Sequence, residues 1–138
     1  MRMNNEKCVI VIDESLPLGI IANTAAILGI TLGARLPETV GEDVLDGGGR
    51  GHMGIIEFPV PILKAPSETL AKLRMALYGS EYADVAAADF TDVAQSCKTY
   101  DEFIDRMGAA EELRYFGIAL CGSKKKVNRL TGSLPLLR

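Results

Sequence analysis

Lys7–Ala34 reads KCVIVIDESLPLGIIANTAAILGITLGA: an apolar run, a short acidic turn, then a long stretch with no charge. Of the six residues from Cys8 to Asp13, five are apolar and four are β-branched, which is the length and composition of a central strand buried on both faces. The 19 residues from Leu16 to Ala34 carry no charged side chain, long enough alone for a membrane span. We read them instead as a helix sandwiched inside a domain. Gly19, Gly29, Gly33, Asn23, Thr24 and Thr31 dilute the stretch, Ser15 stands where an N-cap belongs, and Pro17 falls in the first turn, where a missing N–H costs nothing. In open α/β sheets the crevice beyond the carboxyl ends of the strands is the usual ligand site. Here it would hold Asp13, Glu14 and Ser15.

The rest of the chain continues the alternation. Arg35 to Met53 is a long Gly-rich connection carrying the only histidine, His52, and long connections inside compact domains are often functional. Gly49 to Gly54 spells G-x-G-x-x-G, but a dinucleotide site needs a strand before it and a helix opening within it, whereas extended sequence follows. Ile55–Leu63 is that extended segment, and Pro59 and Pro61, lacking ladder donors, place it at a sheet edge or in a bulge. A helix capped by Ser67 runs to Gly79 with Leu70, Leu73 and Leu77 on its buried stripe. Ala83–Phe90 reads as a second inner strand with Asp89 at its end. Thr91 to Gly108 is helical, with Thr99 and Glu102 forming a capping box for a fresh helix. Tyr115–Cys121 is the next strand, Ser123 caps a short helix over KKKVNRL, and the apolar terminus TGSLPLLR docks back on the domain.

At 138 residues the chain suits one domain with one core, residues 1–138. A net charge of -3 does not by itself imply a polyelectrolyte partner, yet from Ser123 to Arg138 there are five basic residues and no acidic one. Lys124, Lys125 and Lys126 oppose the dipole in a first helical turn, so together with the exposed N–H groups they form either a site for phosphate or another anion or simply a solvated basic surface. Cys8, Cys97 and Cys121 are odd in number and far apart, which points to buried thiols in a reducing cytoplasm. The N-terminal MRMNNEK enters strand-like sequence without a signal-peptide pattern. No metal or other cofactor is expected, because one histidine and no close cysteine pair make a poor zinc set.

The closing segment Tyr115–Leu137, with Arg129, Thr131, Gly132, Leu134 and Leu136 in corresponding places, resembles the terminus of the type 2 peptidyl-tRNA hydrolases. KCVIVIDESLPLG and its Ala-rich helix resemble their first strand, loop and helix. More closely, GHMGI, DFTDVAQSCKTYDEF, LRYFGIALCG and VNRLTGSLPLLR together resemble an uncharacterised bacterial family related to those hydrolases, over nearly the full length. The resemblance implies a three-layer α/β/α domain with a mixed, mostly parallel four-stranded sheet, and dimerisation. Asp89 matches the family's Asp at a strand end. The lysine at the start of the family's first helix has no counterpart in Gly19–Ile27, GIIANTAAI, so the group that would hold or polarise the substrate is missing and the classical hydrolase reaction is not expected.

The candidate set follows. Asp89 and His52 are the acid–base candidates, with Asp46 or Asp89 as the carboxylate that orients the imidazole. Asp13, Ser15, Asp46, Lys124, Lys125 and Lys126 are the ligand-binding candidates. No G-x-S-x-G elbow surrounds Ser15. Two functions stay open: a hydrolase or binder of a small anionic or RNA-derived ligand at the strand ends, or a non-catalytic homodimeric interaction domain. No membrane partner is expected.

Overall fold

The computed structural model describes residues 5–138. Among the described residues there are six strands, β1 (Glu6–Asp13), β2 (Val44–Leu45), β3 (Gly51–His52), β4 (Ile62–Ala65), β5 (Ala86–Thr91) and β6 (Tyr115–Ser123), and five α-helices, α1 (Leu18–Arg35), α2 (Ser67–Leu77), α3 (Asp92–Ser96), α4 (Tyr100–Ala109) and α5 (Lys124–Thr131). Four strands form one sheet in the order β4-β1-β6-β5, and β2 with β3 makes a separate ribbon.

The sheet is mixed, but it is not mostly parallel. β1 pairs in parallel with β4, Ile10 opposite Ile62 through Asp13 opposite Ala65. Its pairing with β6 is antiparallel, Glu6 opposite Ser123 through Ile12 opposite Gly117, and β5 is also antiparallel to β6. The cause lies in α3 and α4, which lead out and back and return the chain to the end of the sheet it had just left. There the Asp92 N–H donates to the Arg114 carbonyl at 3.0 Å. β6 therefore takes the inner place beside β1, and β5, expected inside, is an edge strand.

β1 has every side chain from Cys8 to Asp13 buried. Val9 and Val11 join Leu70, Leu73, Leu77 and Val127 from α2 and α5 in one core, while Cys8, Ile10 and Ile12 meet Leu28 and Leu32 of α1 in another. Alternation along the strand sends these two sets to opposite faces. The antiparallel register also sets Cys8 opposite Cys121 with Cα atoms 4.1 Å apart, and the two are joined by a disulfide. The expected buried thiols are buried but paired, because the ladder brings together positions 113 residues apart. That pairing removes the cysteine argument for a reducing compartment. Cys97 is free.

α1 departs from expectation. It is long and apolar enough to cross a membrane by length and composition, but it lies on the sheet, burying only Thr24, Leu28 and Leu32. A single layer covers it, so its outer side is open and Ile30 is 73% exposed. The inner side sits close because β6 has Gly117 beneath it. A Cβ there would stand 2.7 Å from Thr24 Cγ2 and 3.1 Å from Leu28 Cδ1. The N-cap is Pro17 rather than Ser15, and α2 likewise starts at Ser67 behind Pro66. Thr99 and Ser123 do cap α4 and α5.

The Gly-rich connection is a braced ribbon. Val44 faces His52 and Leu45 faces Gly51, Val40 bridges Ile56 at the base, and Gly49 takes a φ of 82° at the tip, a conformation that favours glycine. The C-terminal segment docks on β4 as expected, with the Leu137 N–H donating to the Ile62 carbonyl at 2.9 Å. Gly117→Ala is expected to lower unfolding stability by about 1–3 kcal/mol through overpacking under α1. Denaturant titration checks this, and an unchanged midpoint would remove the close approach as a constraint.

Candidate functional site

β4, β1 and β5 all run in one direction, so their carboxyl ends lie at one end of the sheet with the starts of α1, α2 and α3. Because β6 runs the other way, its first residues arrive there too. Arg114, just before β6, places its Nη2 2.8 Å from Asp13 Oδ2 and 3.2 Å from Ser15 Oγ. The Ser15 hydroxyl and backbone N–H both donate to Asp13 Oδ1, at 2.7 and 3.0 Å. Asp13 is 2% exposed, whereas Arg114 is half-exposed and lies over the Phe116 ring, 5.4 Å from its centroid. Asp92 Oδ1 accepts from the Arg114 backbone N–H at 3.2 Å, and Lys64 Nζ meets Glu14 Oε2 at 3.0 Å.

Burial pushes the Asp13 carboxyl up, but hydrogen bonds from Arg114 and Ser15 and the guanidinium charge outweigh it, so its pKa falls below the usual carboxylate value. Asp13 is therefore an anion whose acceptors are already used. Ser15 gives its proton to that carboxylate and turns a lone pair toward Arg114, which is the arrangement of a positioning hydroxyl. What remains available is the outer edge of the guanidinium. Beside it, α1 starts with no side-chain cap and no acidic residue in its first turn.

His52 and Asp89 are not brought together. His52 lies on the ribbon that leads into β4, and Asp89 on β5, at the opposite edge of the sheet. His52 Nε2 is 2.9 Å from Asp46 Oδ2, while Asp46 Oδ1 accepts from the Gly48 and Arg50 N–H groups at 2.8 and 3.1 Å. The His52 hydrogen bond, followed by the two backbone bonds, lowers the Asp46 pKa. This is a turn clamp on an exposed hairpin. Asp89 Oδ2 accepts from Arg74 Nε at 2.7 Å, with Arg74 stacked 3.9 Å over the Tyr78 ring. Burial, with the Asp89 charge next, raises the Tyr115 pKa.

The lysine run is likewise elsewhere. Ser123 pairs with Glu6, so α5 starts at the far end of the sheet from Asp13. The Lys124 N–H donates to the Asn5 carbonyl at 2.7 Å and the Lys126 N–H to Ser123 Oγ at 3.3 Å, and Lys126 Nζ holds Asp84 at 2.7 Å, lowering the Asp84 pKa. Lys124 and Lys125 remain exposed. Antiparallel β6 explains both outcomes: it carries the lysines away from the crevice and brings Arg114 in. Arg114 and Arg74 were missed in sequence. The usable signal for Arg114 was its place directly before a strand, which needed the strand direction to interpret.

The fold and this site define an α/β domain with a mixed four-stranded sheet and, at the strand ends, a buried aspartate paired with a half-exposed arginine. The chain belongs to the family described as Protein of unknown function (DUF2000), which it matches over residues 6–138. It is also similar to the solved structure of a protein of unknown function from Agrobacterium tumefaciens strain C58, with a TM-score of 0.88 at 18% identity, covering 99% of this chain and 100% of that one. No curated protein matches the sequence.

Because the folded-state pKa of Asp13 lies below its unfolded value, the pair contributes stability above pH of about 4 and loses it as pH falls through the folded value. Arg114→Met is expected to cost about 1–3 kcal/mol at neutral pH, below the range for a fully buried pair because Arg114 is half in solvent. Urea unfolding across pH tests this: the deficit shrinks in acid, and a loss independent of pH would assign Arg114 a packing role only.

Proposed function

We propose that this chain is a non-catalytic, homodimeric binding domain on the three-layer α/β/α scaffold of the type 2 peptidyl-tRNA hydrolases. The observation that carries the reading is the separation of the acid-bearing pairs. His52–Asp46, Asp89–Arg74, Asp13–Arg114 and Lys126–Asp84 occupy four different places, whereas acid–base or nucleophilic catalysis needs nucleophile, base and orienting group within hydrogen-bond reach of one reacting atom. α1 on one core and α2 with α5 on the other support the three layers. The lysine of the hydrolases' first helix is replaced here by the apolar Gly19–Ile21 stretch. Homodimerisation is supported by large apolar side chains left in water, including Ile30, Leu45, Met53 and Ile55.

A second reading has one observation in its favour: the half-exposed Arg114 guanidinium beside the uncapped start of α1 suits a small anion or an RNA phosphate. Phosphate contacts of that kind weaken steeply with salt.

Incubation with peptidyl-tRNA is expected to give no ester cleavage above buffer. Robust cleavage abolished by Asp89→Ala would overturn the non-catalytic reading. Light scattering is expected to give twice the 14.8 kDa chain mass, and a monomer would remove the homodimer.

A further inference from the structure

The ribbon of residues 39–57 is ordered by many bonds, and beyond its half-buried base its apolar side chains are exposed. At its base the Gly41 N–H donates to the Ile55 carbonyl and the Glu57 N–H to the Thr39 carbonyl, both at 2.9 Å. Midway the Gly54 N–H donates to Asp43 Oδ1 at 2.9 Å, and a side chain at Gly54 would collide with the Gly41 carbonyl. The tip is clamped by Asp46. In this register Val44 and Leu45 point to opposite faces, and both are exposed, as are Met53 and Ile55, at 87% and 79%. A ribbon resting on its own domain buries one face; the outer part of this one, from Val44 to Met53, leaves apolar side chains exposed on both. Two-stranded ribbons are at best marginally stable in water, so apolar side chains on both faces call for a cover from outside.

At the base of the ribbon the same chain carries an apolar groove between the last turns of α1 and the residue 39–60 segment, lined by Leu32, Gly33, Leu36, Val40, Ile56 and Val60. Groove and ribbon are continuous, since Val40 and Ile56 line the one and bridge at the root of the other. Ile30, exposed on α1, stands one turn from Gly33.

Building on the homodimer reading, we propose that two copies exchange ribbons about a two-fold axis, the Leu45 and Met53 side chains of each entering the Gly33 groove of the other. Insert and receptacle are on one chain, so the surface is complementary to itself, as an isologous interface requires. The exposed parts of Ile30, Val40, Leu45, Met53 and Ile55 amount to on the order of 600–700 Å² per copy, close to the ~800 Å² that one partner of a standard interface buries. A different protein would have to match both the insert and the groove.

Sedimentation velocity on the full chain tests this with two variants that spare the core: Leu45→Asp at an exposed position and Gly33→Arg, where a Cβ meets nothing within 4 Å. Circular dichroism and melting verify that each is folded. Each variant breaks both symmetric contacts, so each is expected to weaken dimerisation about a hundredfold, at roughly tenfold per contact. An equimolar mixture retains one intact ribbon–groove contact and is expected to recover about tenfold. Dimers unaffected by either variant, or a mixture without recovery, would overturn the exchange while leaving the homodimer standing. A monomeric wild type would overturn both, and a monomer that binds phosphatidylcholine vesicles and loses them on Leu45→Asp would assign the ribbon to a lipid surface instead.

Discussion

A strand buried on both faces imposes a demand on the rest of its domain: every side chain along it must be met from above or below, and its ladder groups from both sides. β1 makes that demand from Cys8 to Asp13. β4 and β6 satisfy its ladders, α1 covers the side of Ile10 and Ile12, and α2 with α5 covers the side of Val9 and Val11. Asp13 is the polar end of the same buried row. Its charge persists there only because Arg114 and Ser15 supply the bonds that water would otherwise make. The ion pair at the crevice is thus first a condition for ending a buried strand with a carboxylate.

Strand direction then decides which charges can cooperate. With β6 antiparallel, its first residue joins the acidic strand ends and its last leads to the lysines at the opposite end of the sheet. The chain has the residue types that acid–base chemistry uses, but topology separates them. Meanwhile the exposed side of α1 and both faces of the ribbon carry apolar groups with no internal use. The buried Asp13 carboxylate is satisfied inside the domain, whereas Ile30, Leu45, Met53 and Ile55 are left in water.

The elements with strong local signals were readable from sequence. β1 announces itself by four consecutive β-branched residues, α2 by Leu70, Leu73 and Leu77, and the caps at Thr99 and Ser123 by residue type and spacing. What failed depended on non-local geometry. The Cys8–Cys121 bond, the edge position of β5 and the arrival of Arg114 all follow from the direction of β6, which no residue pattern encodes. Ser15 has the chemistry of a cap, but Asp13 two residues earlier competes for its hydroxyl and wins. Of the candidate site, the Asp13–Ser15 turn was legible and its cation was not. The His52–Asp46 pairing was anticipated as one of two options, and the structure makes it a hairpin brace.

The innermost pair of strands joins residues 6–13 to residues 115–123, and this separation sets the order in which the fold can assemble. Contacts between near neighbours, such as those within α2 or across the β2–β3 ribbon, close quickly, but the β1–β6 ladder must first pay the chain entropy of a loop of about 100 residues. Until β6 docks, β1 exposes both apolar faces and α1 has only part of its floor. The long-range step therefore coincides with the greatest display of apolar surface, the condition under which partly folded chains are prone to aggregate.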